Sequence, residues 1–180
     1  MFAFLIRIIS KIGFPYFREV SNGEISNLST NVLSKGDLIF TFTPYKLANM
    51  GISGEYKHVA MYVGDSMIVH ATTGGGTSME TLRELISDSS RYAVYRLNGI
   101  TPDESNEVSA IAKDLSDDGI GYDFRLKKGN PYYYCSELVH FVYSHIGNYI
   151  DFSGNHLVPV DIYANGKWEI VHRNTPQERE

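Results

Sequence analysis

The sequence predicts an α+β domain with an antiparallel sheet, and three observations lead there. Short β-prone runs are separated by tight-turn residues, longer stretches elsewhere repeat apolar residues at helical spacing, and the two kinds do not alternate as regular βαβ units would. A chain of 180 residues, 43% hydrophobic and 21% charged, has the size and composition of one packed domain. A net charge of −5 with scattered basic residues lacks the electrostatic footprint of a nucleic-acid binder, so no nucleic-acid partner is expected. The single cysteine, Cys135, rules out a disulfide within the chain and leaves the redox compartment undetermined.

Residues 1–20 are expected to hold an amphipathic N-terminal helix. Phe2, Leu5, Ile6, Ile9 and Ile12 share one face, with Arg7, Ser10 and Lys11 opposite. No apolar run reaches the roughly 18 residues of a membrane span, and a basic n-region and a small-residue cleavage site are both missing. The helix therefore reads as docked on the domain or, in second place, as a membrane-surface contact through residues 2–12; localisation stays unassigned. Residues 21–35, rich in Ser, Asn, Thr and Gly, read as a linker.

The domain proper is expected over 36–172. Gly36-Asp37 opens a strand over Leu38 to Thr43. His58 to Val63 and Met67 to Thr72 form a hairpin around Gly64-Asp65-Ser66, and Thr73 to Gly76 is a loop. Thr81 to Ile86 has a short helical pattern, and Tyr92 to Leu97 alternates like a strand. Pro102 can begin a helix carrying Val108, Ile111, Ala112 and Leu115, ended by Asp118-Gly119. A second helix opens at Cys135, with Leu138, Val139, Val142 and Ile146 on its stripe and Gly147 as its C′ residue. Leu157 to Ile162 and Trp168 to His172 read as short strands, and 173–180 as a flexible polar tail.

A thiol at a helix start meets partial positive charge and free backbone N–H groups, which favour thiolate and can hold an oxyanion. The competing reading of Cys135 is a buried structural cysteine. A cysteine hydrolase also needs an imidazole and a group orienting it. If Gly64-Asp65-Ser66 is a three-residue turn pairing Val63 with Met67, Ala60 opposes His70 and His58 opposes Thr72. The two histidines then become diagonal neighbours on one face, roughly 7 to 8 Å apart at the backbone. A two-residue turn would put them on opposite faces. Taken singly, each reads as a structural histidine. His140 and His145 lie five apart, not at helical metal-pair spacing, and no zinc motif is present. Gly74-Gly75-Gly76 lacks the Gly-Lys-Ser/Thr of a nucleotide loop, so neither metal nor cofactor is expected. Tyr122, Tyr132, Tyr133, Tyr134 and Tyr143 are candidates for groove lining or for core.

Four segments, Gly36-Asp37-Leu38-Ile39-Phe40, Lys57-His58-Val59-Ala60-Met61-Tyr62-Val63-Gly64, Ile68-Val69-His70-Ala71 and Tyr134-Cys135-Ser136-Glu137-Leu138-Val139, together resemble the NlpC-type superfamily of papain-fold cysteine peptidases. Because the histidines precede the cysteine, and Gly121-Tyr122-Asp123-Phe124 precedes the Cys block, the likeness is to the circularly permuted YiiX/YebB-like amidases, related to lecithin:retinol acyltransferase-like enzymes. The resemblance covers roughly residues 36 to 162. It implies a permuted papain-like catalytic domain with Cys135 as nucleophile, His58 as base and then acid, and His70 as the third, orienting residue. Many permuted relatives have Glu in that third place. The side chains that complete the oxyanion hole in relatives have no clear match, Tyr134 and Tyr45 being the nearest. The implied activity is hydrolysis of an amide in a peptide or a peptidoglycan stem peptide through a thioester. The alternatives are a thiol acyltransferase or lipid hydrolase at a membrane surface, and a binding module that has lost catalysis.

Overall fold

A computed structural model of the chain describes residues 20–44, 51–125, 130–151 and 156–174. The expected N-terminal helix over 1–20 therefore lies outside the described residues, except for Val20, as does most of the expected tail. Among the described residues no helix is long and apolar enough to cross a membrane.

In chain order the elements are α1 (Asn22–Asn31), β1 (Leu38–Phe42), β2 (His58–Gly64), β3 (Met67–Thr72), β4 (Gly76–Thr81), α2 (Leu82–Ser87), β5 (Arg91–Leu97), α3 (Pro102–Asp117), α4 (Cys135–Ser144), α5 (Pro159–Tyr163) and β6 (Trp168–Arg173). The strands form one sheet in the order β4-β3-β2-β1-β5-β6, antiparallel at every pairing. Side-chain alternation splits each central strand between two cores. Leu38, Phe40, Val59, Met61, Val69 and Ala93 pack toward α3 and α4. Ile39, Ala60, Tyr62, Ile68 and Val94 face the other way, where Ile25 and Leu28 of α1 and Leu82, Leu85 and Ile86 of α2 cover them. Burial on both faces explains why β2 reads as a nearly continuous apolar run.

Three expectations need correction. The segment over 21–35 is not a plain linker: Asn22–Asn31 is helical, capped by the Ser21 hydroxyl accepting from the Glu24 N–H at 3.0 Å, and it buries Ile25 and Leu28. The polar run Gly76–Thr81 is an edge strand, where the expected loop ended at Gly76, the helical pattern began at Thr81 and no element was assigned between them. Pro159–Tyr163 is a helix instead of a strand, with Pro159 in its first turn and the Asp161 carboxylate accepting from the Val158 N–H at 2.9 Å.

Two backbone features set how the candidate residues meet, one through strand register from the far end of the hairpin and one beside them. The β2–β3 turn has two residues, not three: Asp65 and Ser66 both have positive φ, as a type I′ hairpin requires, and Gly64 pairs with Met67. Val63 is then an extra, bulged residue, so Tyr62 pairs with Ile68 and Met61 with Val69. Continuing that register sets Ala60 against His70, the alignment expected from a three-residue turn. Next to it, Gly76 opens β4 with φ +67 in very close contact with the Ile120 carbonyl, which accepts from the Thr77 N–H at 2.7 Å. A side chain at Gly76 would collide with that carbonyl.

Away from the candidate residues, the buried Asp37 carboxylate anchors the start of β1. It takes a forked pair of bonds from Arg96, 2.8 Å from Nε and 2.7 Å from NH2, and a third from the Ser34 N–H at 2.7 Å. The same guanidinium also donates to the Val32 carbonyl at 2.9 Å, tying the end of α1 to β5.

Candidate active site

His58 is the first residue of β2 and His70 the fourth of β3, and both side chains share the strand parity of Ala60 and Ile68. The restored register makes them diagonal neighbours, and their rings meet: His58 Nε2 lies 3.1 Å from His70 Nδ1, with ring planes 70° apart. His70 is only 4% exposed, so its ring is fixed by its surroundings. Its second nitrogen, Nε2, is 3.4 Å from Glu80 Oε1 on β4.

Cys135 comes from the opposite side of the sheet, as the first residue of α4. Its N-cap, Tyr134, makes no side-chain capping bond, so the first turn of α4 lacks the usual side-chain acceptor for its N–H groups. The backbone N–H of Val59, the residue next to His58, is close enough to the sulfur to favour its charged form, and the Ser136 hydroxyl lies 3.9 Å from it. Cys135, His58 and His70 all line one cavity of about 640 Å³. Its wall also includes Thr41, Lys57, Glu80, Glu84, Asp88 and Tyr122.

Electrostatics modify the expected thiolate. Burial pushes the Cys135 thiol above its ordinary range, and the Val59 N–H and the Ser136 hydroxyl and N–H pull it only part of the way back. Desolvation is the largest influence, so the thiolate is less favoured than the helix start alone would make it. A thiol used as a nucleophile needs a base during attack.

Tyr122 is the aromatic that the Cys block contributes to the cavity. An isolated bridge to Tyr133 fixes its backbone. Burial, and secondarily the neighbouring Cys135 sulfur, push its phenol up to about 12. The other tyrosines serve elsewhere. Tyr143 is buried with its hydroxyl donating to the Gly36 carbonyl, the Tyr134 hydroxyl accepts from the Leu157 N–H at 2.9 Å, and Tyr133 packs on Phe141. Tyr132 is half exposed and covers Gly121. Tyr45 lies outside the described residues. Asp123, beside Tyr122, is buried and accepts from Asn130 at 3.0 Å and the Arg125 N–H at 2.8 Å, which shapes the strip leading to Tyr133.

Three of the remaining described histidines have local roles. His140 Nδ1 accepts from the Ile150 N–H, His145 contacts the Phe141 carbonyl, and His172 stacks on Tyr92. Among the described residues no group of three or more His, Cys, Asp or Glu is arranged to hold a metal. Glu80 was missed in sequence because β4 was missed; once β4 is placed, its pairing of Ile68 with Glu80 and His70 with Ser78 puts Glu80 within diagonal reach of His70.

A six-stranded antiparallel sheet flanked by helices, with a paired-histidine hairpin early in the chain and the cysteine on a later helix, defines the permuted papain-like class. The chain belongs to the family of permuted papain-like amidase enzymes of the YaeF/YiiX, C92 type, whose model matches residues 32–175. It is also similar to a probable lipoprotein peptidase, YaeF, of Escherichia coli strain K12, at 25% identity over 115 residues, covering 62% of this chain and 41% of that relative. The chain thus spans less than half the length of the curated relative it matches.

Proposed function

We propose that the protein is a cysteine amidase that cleaves an amide bond in a peptide, with Cys135 as nucleophile and His58 as general base and acid. The observation that carries this reading is the 3.1 Å contact between His58 Nε2 and His70 Nδ1, formed in the wall of the cavity that also receives the Cys135 thiol. Family membership and the peptidase relative support the reaction class. With its Nε2 engaged by His70, His58 has Nδ1 left to accept the thiol proton. That nitrogen takes the proton as sulfur bonds to the carbonyl carbon, and N–H groups at the start of α4 receive the developing oxyanion. The Tyr122 phenol is a further donor for it. Collapse breaks the C–N bond, and His58 gives its proton to the departing amine. Water, deprotonated by the same imidazole, then splits the thioester and restores the thiol.

The lining mixes the polar and charged Thr41, Lys57, Glu80, Glu84 and Asp88 with the apolar Ile52, Ala71 and Leu85, which supplies hydrogen-bond partners for a peptide alongside apolar contact. A stem peptide of peptidoglycan is the first substrate to test. In the expected outcome, mass spectrometry after incubation with such a peptide finds the acyl fragment on Cys135, and Cys135→Ala abolishes turnover with an unchanged circular dichroism spectrum. Turnover retained by folded Cys135→Ala would refute the assignment.

A further inference from the structure

We infer that Glu80 is a positioning residue that sets the tautomer of His70 and thereby keeps His58 able to accept the thiol proton; this rests on the amidase reading above. Two neutral imidazoles sharing one hydrogen bond must agree on direction, because each carries a single N–H. If His70 held its proton on Nδ1, it would donate to His58 Nε2. His58 would then carry its own proton on Nδ1, leaving neither ring nitrogen free to take up the thiol proton, and could not act as base. The productive arrangement is the opposite one, with His58 Nε2–H donating to His70 Nδ1 and the His70 proton on Nε2.

The structure places an acceptor at that second nitrogen. Glu80 Oε1 lies 3.4 Å from His70 Nε2, an ion-pair distance at which the angle does not yet make a hydrogen bond, and a small turn of the half-exposed carboxylate would complete one. An ionised carboxylate can only accept, so it favours the Nε2–H tautomer. Its negative charge also favours the imidazolium that forms when His58 takes up the proton. The groups facing the imidazole pair are Glu80 from β4, Cys135 from α4, and Lys57, Arg83, Glu84, Asp88 and Tyr122 around the cavity. Two of these are committed elsewhere: Arg83 donates to the Val20 carbonyl at 2.6 Å, and Glu84 accepts from the Thr81 N–H at 3.0 Å as part of a helix cap. Glu80 is the carboxylate in contact with His70.

The test compares the full chain with Glu80→Ala and Glu80→Gln. Glu80 is 42% exposed, so both replacements leave the core intact. Two-bond ¹H–¹⁵N spectra of histidine-labelled protein at roughly pH 8, where an ordinary histidine is neutral, report each tautomer directly. The expected result is Nε2–H at His70 in the parent, a shift toward Nδ1–H in Glu80→Ala, and partial retention in Glu80→Gln, whose amide oxygen still accepts. Acylation of Cys135 by p-nitrophenyl acetate is expected to fall about 10- to 100-fold in Glu80→Ala, the range typical of residues that orient a functional histidine. An unchanged His70 tautomer in both variants would overturn the role of Glu80 whatever the acylation rate. Failure of the amidase reading shows separately, as undiminished acylation in Cys135→Ala.

Discussion

At the scale of single residues, opposing influences meet at Cys135. A helix start favours thiolate by a modest, screened interaction, whereas burial penalises the charge. The net direction for the thiol is upward, so in the proposed reaction it would rely on His58 for activation. Alkylation by iodoacetamide is therefore expected to be slow at neutral pH and to climb as pH rises through and beyond the ordinary thiol range. A fast, pH-independent reaction at neutral pH would show a resting thiolate instead. The sign for stability is the same: a folded pKa above the unfolded value means that burial of the neutral thiol stabilises fully below the unfolded pKa, and this contribution is lost as pH rises through the folded one.

At the scale of elements, the β2–β3 hairpin shows how turn and strand can compensate. The two-residue turn alone would have sent the histidines to opposite faces; the bulge at Val63 adds the missing residue and brings them back together. Because Ser66 holds a left-handed conformation without being glycine, Ser66→Gly is expected to stabilise the protein by up to about 1 kcal/mol in urea unfolding, with kcat unchanged. A drop in kcat would mean that the substitution moved the register. This hairpin also marks what the sequence could and could not disclose. Apolar runs such as Val59-Ala60-Met61 announce strands wherever both faces are covered, but β4 is an edge strand with little to bury, and Gly-Thr-Ser-Met-Glu-Thr carries no periodic signal. For α1 the signal existed: Ser21 three residues before Glu24, then Ile25 and Leu28 on one face. It was outweighed by the count of Ser and Asn. Val158-Pro159 likewise marked a helix start inside a run too short for periodicity to decide. The two histidines and the cysteine were legible as a set because family-like segments surround each. Glu80 and Tyr122 needed the sheet and the cavity.

At the scale of the whole molecule, the Asp37–Arg96 pair ties the loop after α1 to the centre of the sheet. Burial raises the Asp37 carboxyl, and the guanidinium and the Ser34 N–H oppose that rise, so the carboxylate depends on its partners. Asp37→Ala strands Arg96 and frees the Val32 and Ser34 ends of the loop after α1. A loss of about 3 kcal/mol is expected, at the low end for a broken buried pair because Arg96 is 28% exposed. Urea denaturation measures it, and a loss under 1 kcal/mol would show that packing alone holds this corner. Activity of the folded fraction should persist, since neither residue lines the cavity.

The tight passage of Gly76 beneath the Ile120 carbonyl bears on how such a molecule can diversify. It joins the strand that bears Glu80 to the strip that bears Tyr122, two residues of the cavity wall, main chain to main chain. Exchanging side chains around the cavity alters its lining but leaves this junction in place. A descendant in which these two walls stood further apart would have to rebuild the stretch around residues 120 and 121, not merely trim what projects from it.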